Sequence, residues 1–232
     1  VNTTLTLALD GRNLAFDGLT ITSHDNVVRG LAIYDFDSNI GAPYYNAIVI
    51  SGGQGNVIAG NFLGLAADGS RGSSFQRAGV NIRALAKQNT IGGASAADRN
   101  VISGNRYAGV RIEGNLALTN TVQGNLIGPA PAGTTVLTGS QQLVGVLLTN
   151  IAYENQVLDN VISGNSLAGV VISDSAGANR VQGNLIGPAA NGGAVLNGST
   201  QNDGCLLYTS DAADERSRVD IGRGRTIKKK TT

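Results

Sequence analysis

The block TVQGNLIGPA, residues 121–130, returns as VQGNLIGPA at residues 181–189, and NVISGN at residues 100–105 returns unchanged at residues 160–165. A looser copy, NVIAGNFLG, occupies residues 56–64. Blocks that recur in one order along the chain mark a series of stacked units rather than one irregular core. A Gly-Val step is a third recurring element, at Gly79, Gly109, Gly145 and Gly169.

The grain inside each unit is that of short strands. After each of those glycines come two apolar residues spaced by two: Val80 and Ile82, Val110 and Ile112, Val146 and Leu148, Val170 and Ile172. Period two over a few residues is a strand signal, and Gly-Asn interrupts it repeatedly. Glycine and asparagine both tolerate positive φ, so each Gly-Asn reads as a sharp corner. Hairpins would need two-residue turns between alternating partners. Identical corners at identical phase fit a coil instead, in which each rung pairs in parallel with the next.

The spacing predicts three strand–turn cycles in each long repeat, from Asn100 to Asn160. It thus predicts rungs of about 20 residues plus loops, roughly nine or ten rungs, and a rod on the order of 45 Å long. Corner asparagines should stack along the axis with their amides hydrogen-bonded; Asn105, Asn125, Asn165 and Asn184 are the candidates. Longer excursions at residues 65–78, 129–144 and 188–203 start at equivalent points, so they should emerge on one side, as binding loops or as spacers.

The quoted blocks, N-x-I-x-G-N-x-I-G and A-G-V-x-I, resemble the bacterial right-handed parallel β-helix repeat proteins of the pectin-lyase-like superfamily, over roughly residues 14–204. The resemblance implies an all-β right-handed solenoid, here truncated at both ends, from a secreted or cell-surface protein. It leaves function open, because that superfamily holds polysaccharide lyases, glycoside hydrolases, adhesins and passive stalks. The two readings carried forward are a structural or carbohydrate-contacting segment and part of a lyase or hydrolase. The implied partner is a polysaccharide or surface glycan, and the chain is read as a monomer within a longer protein.

Residues 205–232 break the pattern. The intervals Gly64 to Gly79, Gly128 to Gly145 and Gly187 to Gly204 are nearly equal, so the next Gly-Val strand should begin at Gly204. In its place stands CLLYTSDAADE, residues 205–215, which resembles the conceptual translation of a transposase-type sequencing adapter. Residues 205–232 are therefore read as a non-native, disordered tail. This matters for charge: residues 1–204 hold 10 Lys+Arg against 12 Asp+Glu, whereas the tail holds 7 against 4. The body has no basic surplus for nucleic acid, and the run Lys228 to Lys230 carries no such meaning. The single cysteine, Cys205, excludes a disulfide framework. No apolar run approaches the roughly 18 residues of a membrane span.

Chemistry on this architecture needs clustered outward groups. The Gly-Val strands place Asn81, Arg111, Leu147 and Val171 at one outward site, and Arg83, Glu113, Thr149 and Ser173 at the next. Arg83, Arg111 and Glu113 come nearest to a catalytic constellation, and they read equally as a surface ion-pair group. Asp35 and Asp37 could help hold a cation or be solvated. His24, in Ser-His-Asp-Asn, reads as a turn rather than a triad. No zinc spacing, EF-hand loop or phosphate-binding glycine loop occurs, so no metal or cofactor is expected.

Overall fold

The computed structural model describes residues 5, 7–36, 45–71, 76–209, 218–219 and 227–231. Every regular element among them is a β-strand, and the strands form three parallel sheets. Sheet I includes Leu31–Tyr34, Phe62–Leu63, Val101–Ile102, Leu126–Ile127, Val161–Ile162 and Leu185–Ile186. Sheet II includes Ile48–Ser51, Ala78–Arg83, Ala108–Glu113, Val144–Thr149, Ala168–Ile172 and Asp203–Thr209. Sheet III includes Val57–Ala59, Thr90–Gly92, Thr121–Gln123, Gln156–Leu158 and Arg180–Gln182. From Leu31 to Thr209 the chain visits the three sheets in rotation, so each strand pairs with its equivalent one coil earlier. Parallel crossovers of this kind wind right-handed. The fold is a right-handed parallel β-helix.

The core follows from the period-two pattern. In sheet II the inward columns are Ile48–Val80–Val110–Val146–Val170–Cys205 and Ile50–Ile82–Ile112–Leu148–Ile172–Leu207. Ile33, Leu63, Ile102, Ile127, Ile162 and Ile186 face them from sheet I, and Ile58, Ile91, Val122, Val157 and Val181 from sheet III. Apolar residues, most of them β-branched, stack on one another one coil away, a packing that suits their shape on a pleated surface.

The long repeat makes two turns, not the predicted three. Equivalent asparagines lie 24 residues apart from Asn160 to Asn184 and 35 apart from Asn125 to Asn160. The tight coil is close to the expected rung of strands and corners, and the long coil carries the excursion. In TVQGNLIG, Thr121–Gln123 belongs to sheet III and Leu126–Ile127 to sheet I, separated only by Gly124 and Asn125. Two sides of one coil therefore read in sequence like successive rungs. Among the described residues sheet II has eight strands, which at about 4.8 Å spacing extend over about 34 Å.

Each of the three corners carries its own column of amides. Between sheets II and III run Asn26, Asn56, Asn89, Asn120, Asn155 and Asn179, each Nδ2 donating to the next Oδ1 over 2.8–3.2 Å. Between III and I run Asn61, Asn100, Asn125, Asn160 and Asn184, at 2.9–3.1 Å. Between I and II run Gln76, Asn105, Gln142, Asn165 and Gln201, at 2.8–3.4 Å. Asn125 and Asn184 thus share one column and Asn105 and Asn165 another. The glutamines escaped the sequence reading. They stand one residue nearer the following glycine, as Q-x-x-G against N-x-x-x-G, and their extra methylene restores the reach. Gly124 turns the III-to-I corner at φ 70°, and Asp159 makes the equivalent turn at φ 53°.

The excursions leave the rod at the I-to-II corner, on one side as expected, but they fold back over sheet I. Leu65 and Leu137 bury against the outward residues Ala32, Phe62, Val101 and Leu126. Successive excursions pair with each other through Val136 N to Asn197 O, 3.1 Å, and Ala190 N to Gly133 O, 2.8 Å. They roof sheet I rather than stand free.

The disorder expected from Cys205 onward does not extend over residues 205–209, which lie in the strand Asp203–Thr209, in register with Ala168–Ile172. Parallel pairing asks for inward apolar residues in phase, and Cys205 and Leu207 supply them beneath Val170 and Ile172. Residues 218–219 and 227–231 also form strands. Burial pushes the Cys205 thiol up to about 12. A thiol reagent at pH 8 is therefore expected to spare the folded protein and to titrate one sulfhydryl after denaturation; rapid labelling of the native chain would place Cys205 outside the core. The unfolded thiol ionises above its ordinary value of 9.0 while the folded one keeps its proton. This contribution to stability is therefore complete below about pH 9 and is lost as the pH rises toward about 12.

Candidate functional site

Side chains of several coils meet a cavity in two places: beside sheet I, where Leu5, Arg29, Phe62 and Arg99 line about 500 Å³, and on the outer face of sheet II, which carries the candidate residues. Its register is the one read from the Gly-Val strands: Asn81, Arg111, Leu147, Val171 and Leu206 form one outward row. Glu113 and Thr149 pair in the next row, with Arg83 one coil before them and Ser173 one coil after.

The earlier coils of this face are polar. Arg111 and Glu113, two apart on one strand, project to the same side and form a salt bridge of 2.6 Å. Asn81 Nδ2 donates to Glu113 Oε1 over 3.0 Å. The guanidinium carbons of Arg77 and Arg111 lie 5.8 and 5.9 Å from the centre of the Tyr107 ring, within cation–π range. Arg83 is exposed at the edge of the group. Burial holds the Arg111 pKa below its ordinary value; Glu113 opposes that shift, and Arg77 and Arg83 add to it. The cluster does not close on itself, because Asn81 Oδ1 and Arg111 Nε are buried without a hydrogen-bond partner. Such orphans cost about 1–3 kcal/mol each.

The later coils are apolar at the centre and polar at the margin. Leu147, Val171, Val144 and Leu167 line a cavity of about 190 Å³, with Arg111 and Tyr107 on one side and Thr149, Ser173 and Asp174 on another. Tyr208 also lines it. Thr149 Oγ1 donates to Asp174 Oδ2 over 2.5 Å, and Ser173 Oγ lies 3.2 Å from Thr149 Oγ1. Asp174 reaches Thr149 because its own backbone is left-handed, φ 52°, at the turn after the strand. Neither Asp174 nor Tyr107 was legible as a site residue. Each lies outside the alternating strand pattern and is brought in by a corner.

The other candidates do not join this face. His24 sits at the II-to-III corner, its Nδ1 accepting from Gln54 N over 3.1 Å. Asp35 is buried, 3.9 Å from the Arg12 guanidinium. Asp37 lies outside the described residues. Among the described residues no three His, Cys, Asp or Glu side chains gather as a metal site, and no helix is long and apolar enough to cross a membrane. No family model matches the chain and no curated protein is similar to it. Its architecture accordingly stands on its own register and hydrogen bonds, as an all-β parallel β-helix with one amphipathic outer face.

Proposed function

We propose that this chain is a structural, carbohydrate-contacting β-helix segment of a secreted or cell-surface bacterial protein, and that the outer face of sheet II makes the contact. One observation carries the proposal: sheet I is roofed by its own excursions, whereas sheet II keeps an apolar floor bordered by hydroxyl, carboxylate and guanidinium groups. Sugars present the same combination, C–H faces edged by hydroxyls, and sites for them mix apolar walls with a few placed polar groups. The extracellular location rests on the resemblance of the repeat blocks.

A second reading has its own support. Glu113 and Asp174 both border this face. Thr149 pairs with Glu113 and is bonded to Asp174, which puts the two carboxylates between one and two coils apart. That is about 5–10 Å, a span that overlaps the separations used in glycoside hydrolysis. Part of a lyase or hydrolase would use them.

One set of assays separates the readings. On immobilised polysaccharides the full chain is expected to be retained without turnover. Val171→Lys, which raises a charge on the cavity floor, should abolish retention, and Gln156→Lys on the outer row of sheet III should not. Equal retention of both variants would defeat the assignment of the face. Release of reducing ends or unsaturated uronides from pectin or alginate, abolished by Glu113→Gln, would transfer the face to the enzyme reading.

A further inference from the structure

Resting on the carbohydrate reading of this same face, we infer that the cavity over Leu147 and Val171 takes a neutral pyranose unit and discriminates against a uronate.

The first support is size. A cavity of 190 Å³ is about six waters' worth of space. That suits a single six-membered sugar ring with its hydroxyls.

The second is the floor. Leu147 and Val171 are register partners on adjacent strands, about 4.8 Å apart. Side chains standing side by side on a sheet make a level apolar surface, which matches the flat C–H face of a pyranose. Both lie within one buried apolar cluster with Val144, Ala108 and Ala168, so the floor is held in place by its neighbours.

The third is charge, and it decides against an anion. Two charged residues line the cavity: Arg111, one strand before Leu147 in the outward row, and Asp174, just past the end of the strand that carries Val171. The Arg111 charge is already met by Glu113 at 2.6 Å. A carboxylate seated on the floor would have to displace Glu113 or stand in the field of Asp174. Arg77 stacks on Tyr107, and neither it nor Arg83 lines the cavity. A neutral ring faces no such cost. Asp174 Oδ atoms can accept from sugar hydroxyls beside Thr149 and Ser173, in the role carboxylates take best. Tyr107, 37% exposed, adds a hydroxyl that can donate or accept to the lining.

The probes are the methyl pyranosides of glucose, galactose and mannose, set against glucuronate and galacturonate. Saturation-transfer NMR with the full chain reads which ring protons touch the protein. At least one neutral glycoside is expected to give ring C–H signals and to bind about tenfold more tightly than either uronate. Val171→Thr, which keeps the shape of the floor and makes it polar, should weaken the neutral sugar. Asp174→Asn is the sharper variant, since asparagine tolerates the left-handed backbone and still accepts from Thr149. It should bring the neutral and uronate affinities within about threefold of each other, a change in preference that a merely structural role would not produce. Binding of a uronate in preference to every neutral sugar would overturn the inference and leave the carbohydrate reading intact. So would sugar binding insensitive to both variants. No binding of any sugar or polysaccharide would overturn both.

Discussion

Gly145→Ala is expected to destabilise the protein by about 3 kcal/mol, at the upper end for overpacking a core. The backbone of Gly145 is not in the left-handed region, so the cost is one of space. A Cβ there would stand 2.3 Å from Ile162 Cγ2 and 2.5 Å from Gly169 O. Ile162 could turn only by leaving its place in the sheet I column. Gly169 O belongs to the next coil and cannot withdraw without breaking the ladder. The same two obstacles meet Gly109, at 2.6 Å from Ile127 and 2.8 Å from Gly145 O, and Gly169, at 2.4 Å from Ile186 and 2.7 Å from Gly204 O. The recurring glycine is therefore where the strand of sheet II passes beneath an isoleucine of sheet I. Gly193→Ala is the control: its Cβ would meet nothing nearer than Asn191 at 3.6 Å. It should be neutral or stabilising by up to about 1 kcal/mol. Urea unfolding followed by far-ultraviolet circular dichroism measures both. A Gly145→Ala protein as stable as the parent would mean that the coils are not packed as closely as described.

The second large effect is expected at Asn125. Its Oδ1 accepts from Asn100 Nδ2 at 2.9 Å and from Asn100 N at 3.2 Å. Its Nδ2 is within hydrogen-bond distance of Ile91 O at 2.9 Å and of Gln123 O and Asn160 Oδ1, each at 3.0 Å. The Asn125 side chain is fully buried. Asn125→Ala removes the amide, leaves Asn100 N without its acceptor and takes one of two contacts from each of Asn100 Nδ2 and Asn160 Oδ1, at a cost of about 3 kcal/mol. Asn125→Asp should be no better at neutral pH, because the carboxylate would face the oxygens of Ile91, Gln123 and Asn160. Hydrogen exchange adds a local readout, since the amide of Asn100 loses its acceptor and should exchange faster in the alanine variant. An unchanged unfolding midpoint would show that water replaces the amide and that the column contributes little. The mixed column tests reach: Gln142→Asn should disrupt the contacts with Asn105 and Asn165, because the shorter side chain starts from the position built for the longer one.

The two outward rows were legible because strand residues two apart must share a face, and Arg111 with Glu113 is the result. Asn105, Asn125, Asn165 and Asn184 were legible because Gly-Asn signals a turn; Asn89, Asn120, Asn155 and Asn179 were not, because Gln88, Thr119, Glu154 and Ala178 take the positive φ before them in place of a glycine. Gln76, Gln142 and Gln201 were not, since a glutamine matters here only through where its amide ends in space. Asp174 and Tyr107 were hidden for a related reason: corners, not strands, carry them to the cavity.

By itself the sequence determined a parallel coil of short strands, its inward residues, its turning points and the register of its Gly-Val strands. These are local properties: a period of two, a tolerance for positive φ and a recurring phase. The tertiary structure alone decided that the long repeat winds twice, that the excursions roof sheet I, that three amide columns run along three corners, and that residues 205–209 extend sheet II. Each of these depends on which segments return above one another. A repeat in the chain records that the coil returns, but the number of corners in a turn and the path of a loop are set by closure and packing in three dimensions.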